Sequence, residues 1–251
     1  MLGISLRSER KKDILDKIIK NIKGQGEFIH IVSVNPENLV VADKNEKFKK
    51  VIQTAQIHII DGIGIVIAGR LLGEQAGERV GGVDLMRDIV KLADRLPLRI
   101  VLIGGSSNLA NKLAECYSHK YPASQFKGIE GIRNILSVKK EEEEGIFSIV
   151  ARLMPHIVFV AFGSPEQEMW IDRHKEKFQG MVCMGVGGAF DYLSGSVPRA
   201  PQIIRRVGLE WLFRLIVQPW RWKRQLRLIE FMWLVMREKI YQSSKAIGNM
   251  K

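Results

Sequence analysis

The stretch HIVFVAFGSPEQEMWI, residues 156–171, decides the fold class of this chain. Its first half is an apolar run that ends at Gly163, and a pattern with helical spacing begins at Glu166. A short apolar run bounded by glycine or proline is typical of a strand that is buried on both faces. Ser164 and Pro165 mark the turn between the two patterns. The stretch therefore predicts a buried strand, a tight turn and a helix in succession.

The same order of elements recurs along the chain. Further buried strands are predicted at residues 28–34, 56–60, 98–105 and 181–188. Patterns with helical spacing occupy residues 9–22, 37–54, 83–95, 107–120, 138–153 and 166–177. Strands that alternate with helices form a mostly parallel sheet with helices on its faces. We therefore predict an α/β fold with a Rossmann-like, mostly parallel sheet flanked by helices, and we expect ligands at the carboxyl ends of the strands.

The C-terminal part of the chain differs in composition from the rest. Residues 199–251 hold 12 Lys and Arg against 3 Asp and Glu, which is nine of the net +12 charges, and four of the five tryptophans. A cationic segment rich in Trp is attracted to anionic membrane surfaces. Its longest apolar run, residues 231–236, is far shorter than the roughly 20 residues that a membrane-spanning helix needs. We predict a core domain over residues 1–198 and a basic helical appendage over residues 199–251 that lies on a membrane without crossing it.

Two amphipathic helices are predicted within this appendage, at residues 202–217 and 222–240, separated by Gln218-Pro219. The charged N-terminal residues 1–12 lack the apolar stretch of a secretory signal. We therefore expect a cytoplasmic protein that is peripheral at the inner face of the cell membrane.

Polar residues stand at the ends of the first two predicted strands. Ser33 and Asn35 can form hydrogen bonds at a strand-to-helix turn, and Pro36 suits the first position of a helix. Asn35 is either a helix cap or an active-site residue. Asp61 directly follows a buried strand, and it is either a cap or a carboxylate that takes the proton from an attacking hydroxyl. Asp61 is our candidate general base.

Glycine-rich turns follow the other three predicted strands. Backbone N–H groups at such turns can hold a phosphate. Neither the turn after residue 103 nor GVGGAF at residues 185–190 has the GxGxxG pattern with a suitably spaced acidic residue that marks dinucleotide binding. The turns together indicate a cleft for a phosphorylated sugar, and the candidate binding glycines are Gly104, Gly105, Gly163, Gly187 and Gly188.

The sequence contains no Asp-x-Asp pair that would hold a divalent cation against a diphosphate. The charge of a diphosphate leaving group must then be met by arginines and helix dipoles. Arg79 lies in a glycine-rich loop, where it either meets a diphosphate or is solvated. In the appendage, Arg214, Arg221 and Arg224 are candidates for the same role, with phospholipid headgroups as the alternative ligand.

An ordered set of motifs resembles the WecG/TagA/CpsF glycosyltransferases over roughly residues 30 to 228. The motifs are SVNPEN (33–38), IDGIGIVIAG (60–69), RVGGVDL (79–85), VLIGG (101–105), VFVAFGSPEQEMWI (158–171), GVGGAFDYLSG (185–195), RAP (199–201) and LEWLFRLIVQPWRWKRQ (209–225). The chain departs from the family at Ile132, where an aromatic residue is common, and at Ser33, where threonine is common.

The resemblance implies an inverting glycosyltransferase that moves a sugar, N-acetylmannosamine, from a UDP-sugar to undecaprenyl-diphosphate-linked GlcNAc. The product would serve a cell-envelope polymer such as wall teichoic acid. The alternative is another UDP-sugar, a ManNAc uronic acid or glucose, in capsule or enterobacterial-type antigen synthesis. The resemblance also implies that no metal ion or other cofactor takes part, that the acceptor is reached at an anionic membrane surface, and that copies of the chain self-associate.

By position, the resemblance gives catalytic roles to Asp61, Asn35, Arg79 and Gln167. It places Gly187, Gly188 and Asp191 in the loop that meets the UDP, and Arg214, Arg221 and Arg224 on the membrane-binding appendage.

Two other classes of protein stay open on the residues alone. An NAD-type oxidoreductase is compatible with alternating strands and glycine turns, but the dinucleotide fingerprint is missing. A nucleic-acid-binding module is compatible with clustered Lys, Arg and Trp in the appendage. We expect no nucleic-acid partner, because the motifs favour the glycosyltransferase.

Overall fold

The computed structural model describes residues 1–6, 9–24, 26–74, 77–106 and 108–248. The described strands are β1 (Ile29–Val34), β2 (Ile57–Ile60), β3 (Arg99–Gly104), β4 (Gln125–Ile129), β5 (Ile157–Ala161) and β6 (Val182–Gly185). The described core helices are α1 (Lys11–Lys23), α2 (Pro36–Lys44), α3 (Glu46–Thr54), α4 (Ile63–Leu72), α5 (Gly82–Val90), α6 (Leu109–Lys120), α7 (Lys140–Leu153), α8 (Glu166–Arg173) and α9 (Ala189–Leu193). The appendage contributes α10 (Gln202–Arg206), α11 (Glu210–Val217) and α12 (Trp222–Gly248), and short 3-10 helices include Pro219–Arg221.

The six strands form one parallel sheet in the order β2-β1-β6-β5-β3-β4. Val34 at the end of β1 stands opposite Ile60 at the end of β2. Val160 near the end of β5 stands opposite Gly185 at the end of β6. The residues that follow these strands therefore meet along one edge of the sheet, as the sequence predicted for this α/β fold.

Helices cover both faces of the sheet because successive strand residues point to opposite sides. On one face, Ile31 and Ile59 belong to a buried cluster that also includes residues of α1, α5, α6 and α9. On the other face, Val32 and Ile60 pack with α2, α3, α4 and α12. Beside this second cluster, Trp170 of α8 packs with β3, β5 and α7.

The last helix, α12, is docked on the core. Phe231, Leu234 and Val235 are at most 2% exposed and belong to the same cluster as α2 and α4. Lys44 pairs with Glu230 at 2.5 Å, which adds a polar contact at the edge of this interface. The appendage, which we predicted to begin at residue 199, therefore contributes to the hydrophobic core on one face of the sheet.

The sequence analysis missed β4 and α4. β4 lies at the sheet edge, and its residues alternate between exposed and partly buried until Gly128, so it lacks a continuous apolar run. α4 is apolar around much of its circumference, which hides the helical period.

Two predicted helices are each broken in two. Asn45 ends α2 and caps α3 by accepting the N–H of Phe48 at 3.0 Å. Gly208, with φ +81°, separates α10 from α11.

Candidate active site

A cavity of about 720 Å³ lies at the carboxyl ends of β1 and β2. Its walls come from the residues that follow these two strands, from residues 78–84, and from the appendage. Core and appendage therefore form its walls together. The sequence-predicted residues that line it are Asn35, Asp61, Arg79, Arg214 and Arg224.

Asp61 is held at the floor of this cavity by its own backbone and by two donors. Its N–H donates to Val34 O at 2.9 Å, which extends the β1–β2 ladder by one residue. Its Oδ2 accepts the N–H of Gly82 at 3.3 Å and the hydroxyl of Ser33 at 3.4 Å. Burial raises the pKa of the Asp61 carboxyl above its usual range, and the negative charge of Glu210 adds to the rise, while the two donors and the charge of Arg79 act against it. A carboxylate with a raised pKa suits proton transfer near neutral pH.

Asn35 is the N-cap of α2, which is one of the two roles that the sequence analysis considered for it. Its Oδ1 accepts the N–H of Asn38 at 2.9 Å at the start of α2. The residue also lines the cavity, so capping fixes its side chain beside the ligand space. The Ser33 hydroxyl donates to Asp61, and the Ser33 backbone carbonyl accepts a hydrogen bond from Asn38 Nδ2 at 2.7 Å.

Arg79 enters the cavity from a segment that pairs with the end of β2. Val80 N–H donates to Ile60 O at 2.9 Å, which fixes this segment alongside Asp61. Arg79 Nη2 donates to Arg205 O in the appendage at 2.6 Å. The guanidinium group is therefore placed by both the core and the appendage.

The sequence analysis assigned no role to Asp84 and Arg199, although both lie in quoted motifs. Arg199 Nη1 and Nη2 each donate to Asp84 at 2.8 Å, and Nε donates to Glu210 at 3.0 Å. Burial alone would raise the pKa of Asp84, but the hydrogen bonds and charge of Arg199 hold it below the usual range, with help from Arg87 and Arg205. This network joins the start of α5 to the appendage.

Arg214 reaches the glycine turn after β6. Its guanidinium carbon lies 4.9 Å from the ring centroid of Tyr192, and its Nη2 lies so close to Gly188 that a Cβ there would collide with it. The carboxylate of Asp191 is also beside Gly188. The structure therefore brings together three predicted binding residues, Gly188, Asp191 and Arg214, with Tyr192 as a neighbour that the sequence analysis did not identify.

Arg224 is an exposed residue that forms an intramolecular ion pair. Its Nε and Nη2 donate to the two carboxylate oxygens of Glu37 at 2.7 and 2.9 Å, and Arg227 donates to Glu37 at 2.6 Å. Glu37 follows Asn35 and Pro36 in the SVNPEN motif. Arg221 belongs to a 3-10 helix, and its side chain lies outside the described part of the structure.

The remaining predicted glycines lie at the ends of β3, β5 and β6 and do not line the cavity. Gly104 and Gly105 have φ +91° and +80°, and Cβ atoms there would approach Ala161 O and the Phe190 ring to about 3 Å. Gly163 has φ +88° and open space around it. Close packing thus explains the first two glycines, whereas the turn at Gly163 is free to face a ligand.

Gln167 connects two of these turns. Its Oε1 accepts the N–H of Gly163 at 3.2 Å and the N–H of Gly187 at 3.0 Å, and its Nε2 donates to Glu168 Oε1 at 2.7 Å. The side chain is 4% exposed. Ile132, the departure noted above, is buried in the core and offers little surface to a nucleotide base.

The outer face of α12 carries an apolar stripe. Its members recur at intervals of three and four residues and are 51–70% exposed: Trp222, Leu226, Ile229, Trp233, Met236 and Ile240. This spacing places them on the side of the helix opposite the docked residues Phe231, Leu234 and Val235. Trp220 beside α12 and Ile216 on α11 are each 71% exposed.

Among the described residues, no helix has the length and apolar character to cross a membrane. In the same part of the chain, no group of three or more His, Cys, Asp or Glu side chains is placed to hold a metal ion.

The fold and the cavity define an α/β protein with a carboxylate at a strand end, surrounded by arginines from the core and from a basic appendage. The family of glycosyl transferases described as WecG/TagA/CpsF matches residues 1–245, and the chain belongs to this family. It is therefore a glycosyltransferase.

Two relatives carry the same name, N-acetylglucosaminyldiphosphoundecaprenol N-acetyl-beta-D-mannosaminyltransferase. The protein from Bacillus subtilis (strain 168) is 33% identical over 211 residues, which cover 83% of this chain and 79% of the relative. The protein from Staphylococcus aureus (strain NCTC 8325 / PS 47) is 30% identical over 200 residues, which cover 80% of this chain and 75% of the relative.

Proposed function

We propose that the chain transfers N-acetylmannosamine from a UDP-sugar to undecaprenyl-diphosphate-linked GlcNAc, with inversion at the anomeric carbon. The observation that carries the proposal is the position of Asp61 in a cavity that the core and the basic appendage build together. The names of the two relatives support the same transferred sugar and the same lipid-linked acceptor.

Asp61 is the general base of the proposed reaction. The acceptor hydroxyl oxygen forms a bond to the anomeric carbon of the donor, and its proton passes to the Asp61 carboxylate. The bond from that carbon to the diphosphate breaks, and UDP leaves with the bonding electrons. Arg79 and Arg214 line the cavity and supply positive charge for the leaving group.

Gly187, Gly188 and Asp191 form the proposed donor loop, because Arg214 contacts this loop from the cavity side. Arg224, which lines the cavity and pairs with Glu37, and Arg221 are proposed to meet the leaving-group diphosphate together with Arg214, with phospholipid headgroups as the alternative ligand. Gly104, Gly105 and Gly163 do not line the cavity, and their turns at the neighbouring strand ends are proposed to hold the part of the donor that extends beyond it.

Turnover tests this function directly. Purified protein is mixed with a short-chain polyprenyl-diphosphate-GlcNAc and a panel of UDP-sugars, with and without EDTA, and UDP release is measured. We expect release only with UDP-N-acetylmannosamine and acceptor together, unchanged by EDTA and lost in Asp61→Asn. Release from a different UDP-sugar would show that the transferred sugar is not N-acetylmannosamine. An absence of both UDP release and UDP binding would overturn the proposed glycosyl transfer.

The apolar stripe on α12 supports a peripheral position at the inner face of the cell membrane. An exposed apolar face next to Lys and Arg binds the boundary between lipid headgroups and acyl chains. Residues 199–251 are the proposed membrane-binding appendage. We also propose that copies of the chain self-associate.

Vesicle binding tests the membrane position. Replacing Ile229 and Trp233 together by Ser is expected to weaken sedimentation with anionic vesicles, whereas Leu136→Ser, at a site that is 82% exposed on the core, is the matched control. If the double variant keeps vesicle binding but changes the sedimentation coefficient of the free protein, the stripe is a contact between copies and the membrane assignment is wrong.

A further inference from the structure

Glu168 is a buried carboxylate that the proposed reaction does not use. It is 0% exposed, and its Oε2 has no hydrogen-bond partner among the described residues. Burial raises its pKa to about 7. An unpaired buried polar atom is costly, and an apolar residue of similar volume often costs less at such a position. A role in stability alone therefore does not account for a carboxylate here.

The strongest polar influence that opposes burial at Glu168 is its hydrogen bond from Gln167, followed by Ser164 and the backbone N–H of Glu168 itself. Two backbone N–H groups, from Gly163 and Gly187, converge on one atom of the Gln167 amide. That atom must be the carbonyl oxygen, because only an acceptor can receive both donors. The amide nitrogen must then face Glu168 Oε1, which accepts it at 2.7 Å.

The pair also fits tightly against the end of β6. A Cβ at Gly185 would lie 2.6 Å from Gln167 Nε2 and 2.8 Å from Glu168 Oε1. Strands β5 and β6 are neighbours in the sheet, so the turns that follow them, at Gly163 and Gly187, both lie beside the Gln167 amide. The spacing of the turns at Gly163 and Gly187 therefore depends on how the Gln167 amide is oriented.

We propose that Glu168 is a positioning residue for donor binding: it fixes the orientation of the Gln167 amide, which in turn holds the glycine turns after β5 and β6 in the shape that receives the donor diphosphate. The inference rests on the proposed function, since that function places the donor at Gly187 and Gly188. Without the acceptor oxygen of Glu168, the amide can rotate, and its NH₂ group would then face two N–H donors.

Two substitutions separate positioning from packing. Glu168→Gln keeps an acceptor oxygen opposite Gln167 Nε2, so UDP affinity should stay within about threefold of the unsubstituted protein. Glu168→Leu removes the acceptor and should weaken UDP binding by about tenfold or more, the usual scale for a lost hydrogen bond to a charged group. Its melting temperature should change little, because removal of the buried carboxyl group offsets the loss of the acceptor for Gln167 Nε2.

Gln167→Ala provides a second measurement that does not depend on the folding of Glu168→Leu. It should weaken UDP binding by a similar factor, and adding Glu168→Leu to it should cause no further loss, because both act through one amide. UDP affinity is measured by calorimetry in all four variants and in the unsubstituted protein.

The outcomes distinguish the inference from the proposed function. Unchanged UDP affinity in Gln167→Ala or in a folded Glu168→Leu would overturn the positioning role and leave the transferase reaction intact. A failure of the unsubstituted protein to bind UDP would instead overturn the proposed function on which the role rests.

Discussion

Arg199 pairs with Asp84 through both terminal nitrogens of its guanidinium group, each 2.8 Å from a different carboxylate oxygen. Asp84 lies in α5, two residues after Gly82, whose N–H donates to Asp61. One ion pair therefore connects the first residue of the appendage to the segment that holds the candidate base.

Replacing Arg199 by Lys should reduce both stability and activity. A single ammonium group cannot reproduce the two-point contact with Asp84 and the third contact with Glu210. We expect a loss of roughly 1–3 kcal/mol in the free energy of unfolding, from denaturant titration. The catalytic efficiency kcat/KM should fall by about tenfold, because residues 79–82 lose their support.

Arg206→Lys is the matched control, since Arg206 is an exposed arginine on the neighbouring helix α10. Equal effects of the two substitutions would show that the Arg199–Asp84 pair has no special part in holding the appendage.

The pH dependence of kcat/KM should report the ionisation of Asp61. The carboxylate form accepts the proton, so activity falls as pH drops below the pKa of Asp61, which burial has raised. Ser33→Ala removes a donor that favours the carboxylate, and the acidic limb of the profile should move to higher pH. An unchanged limb, or one that moves to lower pH, would show that another group controls it.

Asp61→Asn should lower kcat by roughly 10²–10⁴-fold, the usual contribution of a general base. UDP binding by this variant, measured by calorimetry, should be retained, because Asp61 acts on the acceptor. Near-normal turnover would rule out Asp61 as the base.

Glu37 should compete with anionic ligands for Arg224 and Arg227. Both arginines are paired with its carboxylate, and Glu37→Gln releases their charge. The substitution raises the net charge by one, and at roughly 1 kcal/mol per unit of positive charge near an anionic membrane, vesicle binding should strengthen by about fivefold. Vesicle sedimentation at low salt measures the change.

Glu46→Gln is the control for net charge, because Glu46 is an exposed residue whose carboxylate pairs with Lys49 within its own helix α3. If both substitutions strengthen vesicle binding equally, the effect is that of net charge and the pairing at Glu37 is irrelevant.

Glu168 should make stability depend on pH. Its pKa rises from 4.5 to about 7 on folding, so the folded state binds the proton more tightly. This contribution to stability is full below pH 4.5 and is lost as pH rises through about 7. Glu168→Gln should therefore gain free energy of unfolding relative to the unsubstituted protein above pH 7, by roughly 1–3 kcal/mol.

Denaturant titrations of both proteins across this pH range measure the difference. A difference that stays constant with pH would show that Glu168 has the same pKa in the folded and unfolded chain.

Several features of the site were predictable from the sequence because they depend on local pattern. Asp61 was identified because it directly follows a buried strand, and Asn35 because a proline begins the next helix. Parallel strands bring their carboxyl ends to one edge, so both residues were expected near each other. The sequence analysis missed β4 because this edge strand lacks a continuous apolar run, and it missed α4 because the helix is apolar around much of its circumference.

The sequence by itself determined the positions of five strands, the residues at their carboxyl ends, and the concentration of positive charge and tryptophan after residue 199. These follow from patterns within a few residues of each other. Only the tertiary structure decided that α12 docks on the core, that Arg224 faces Glu37 across 187 residues of chain, and that Arg199 faces Asp84 across 115 residues. Such contacts depend on where packing brings distant segments, and no local period of the sequence carries that information.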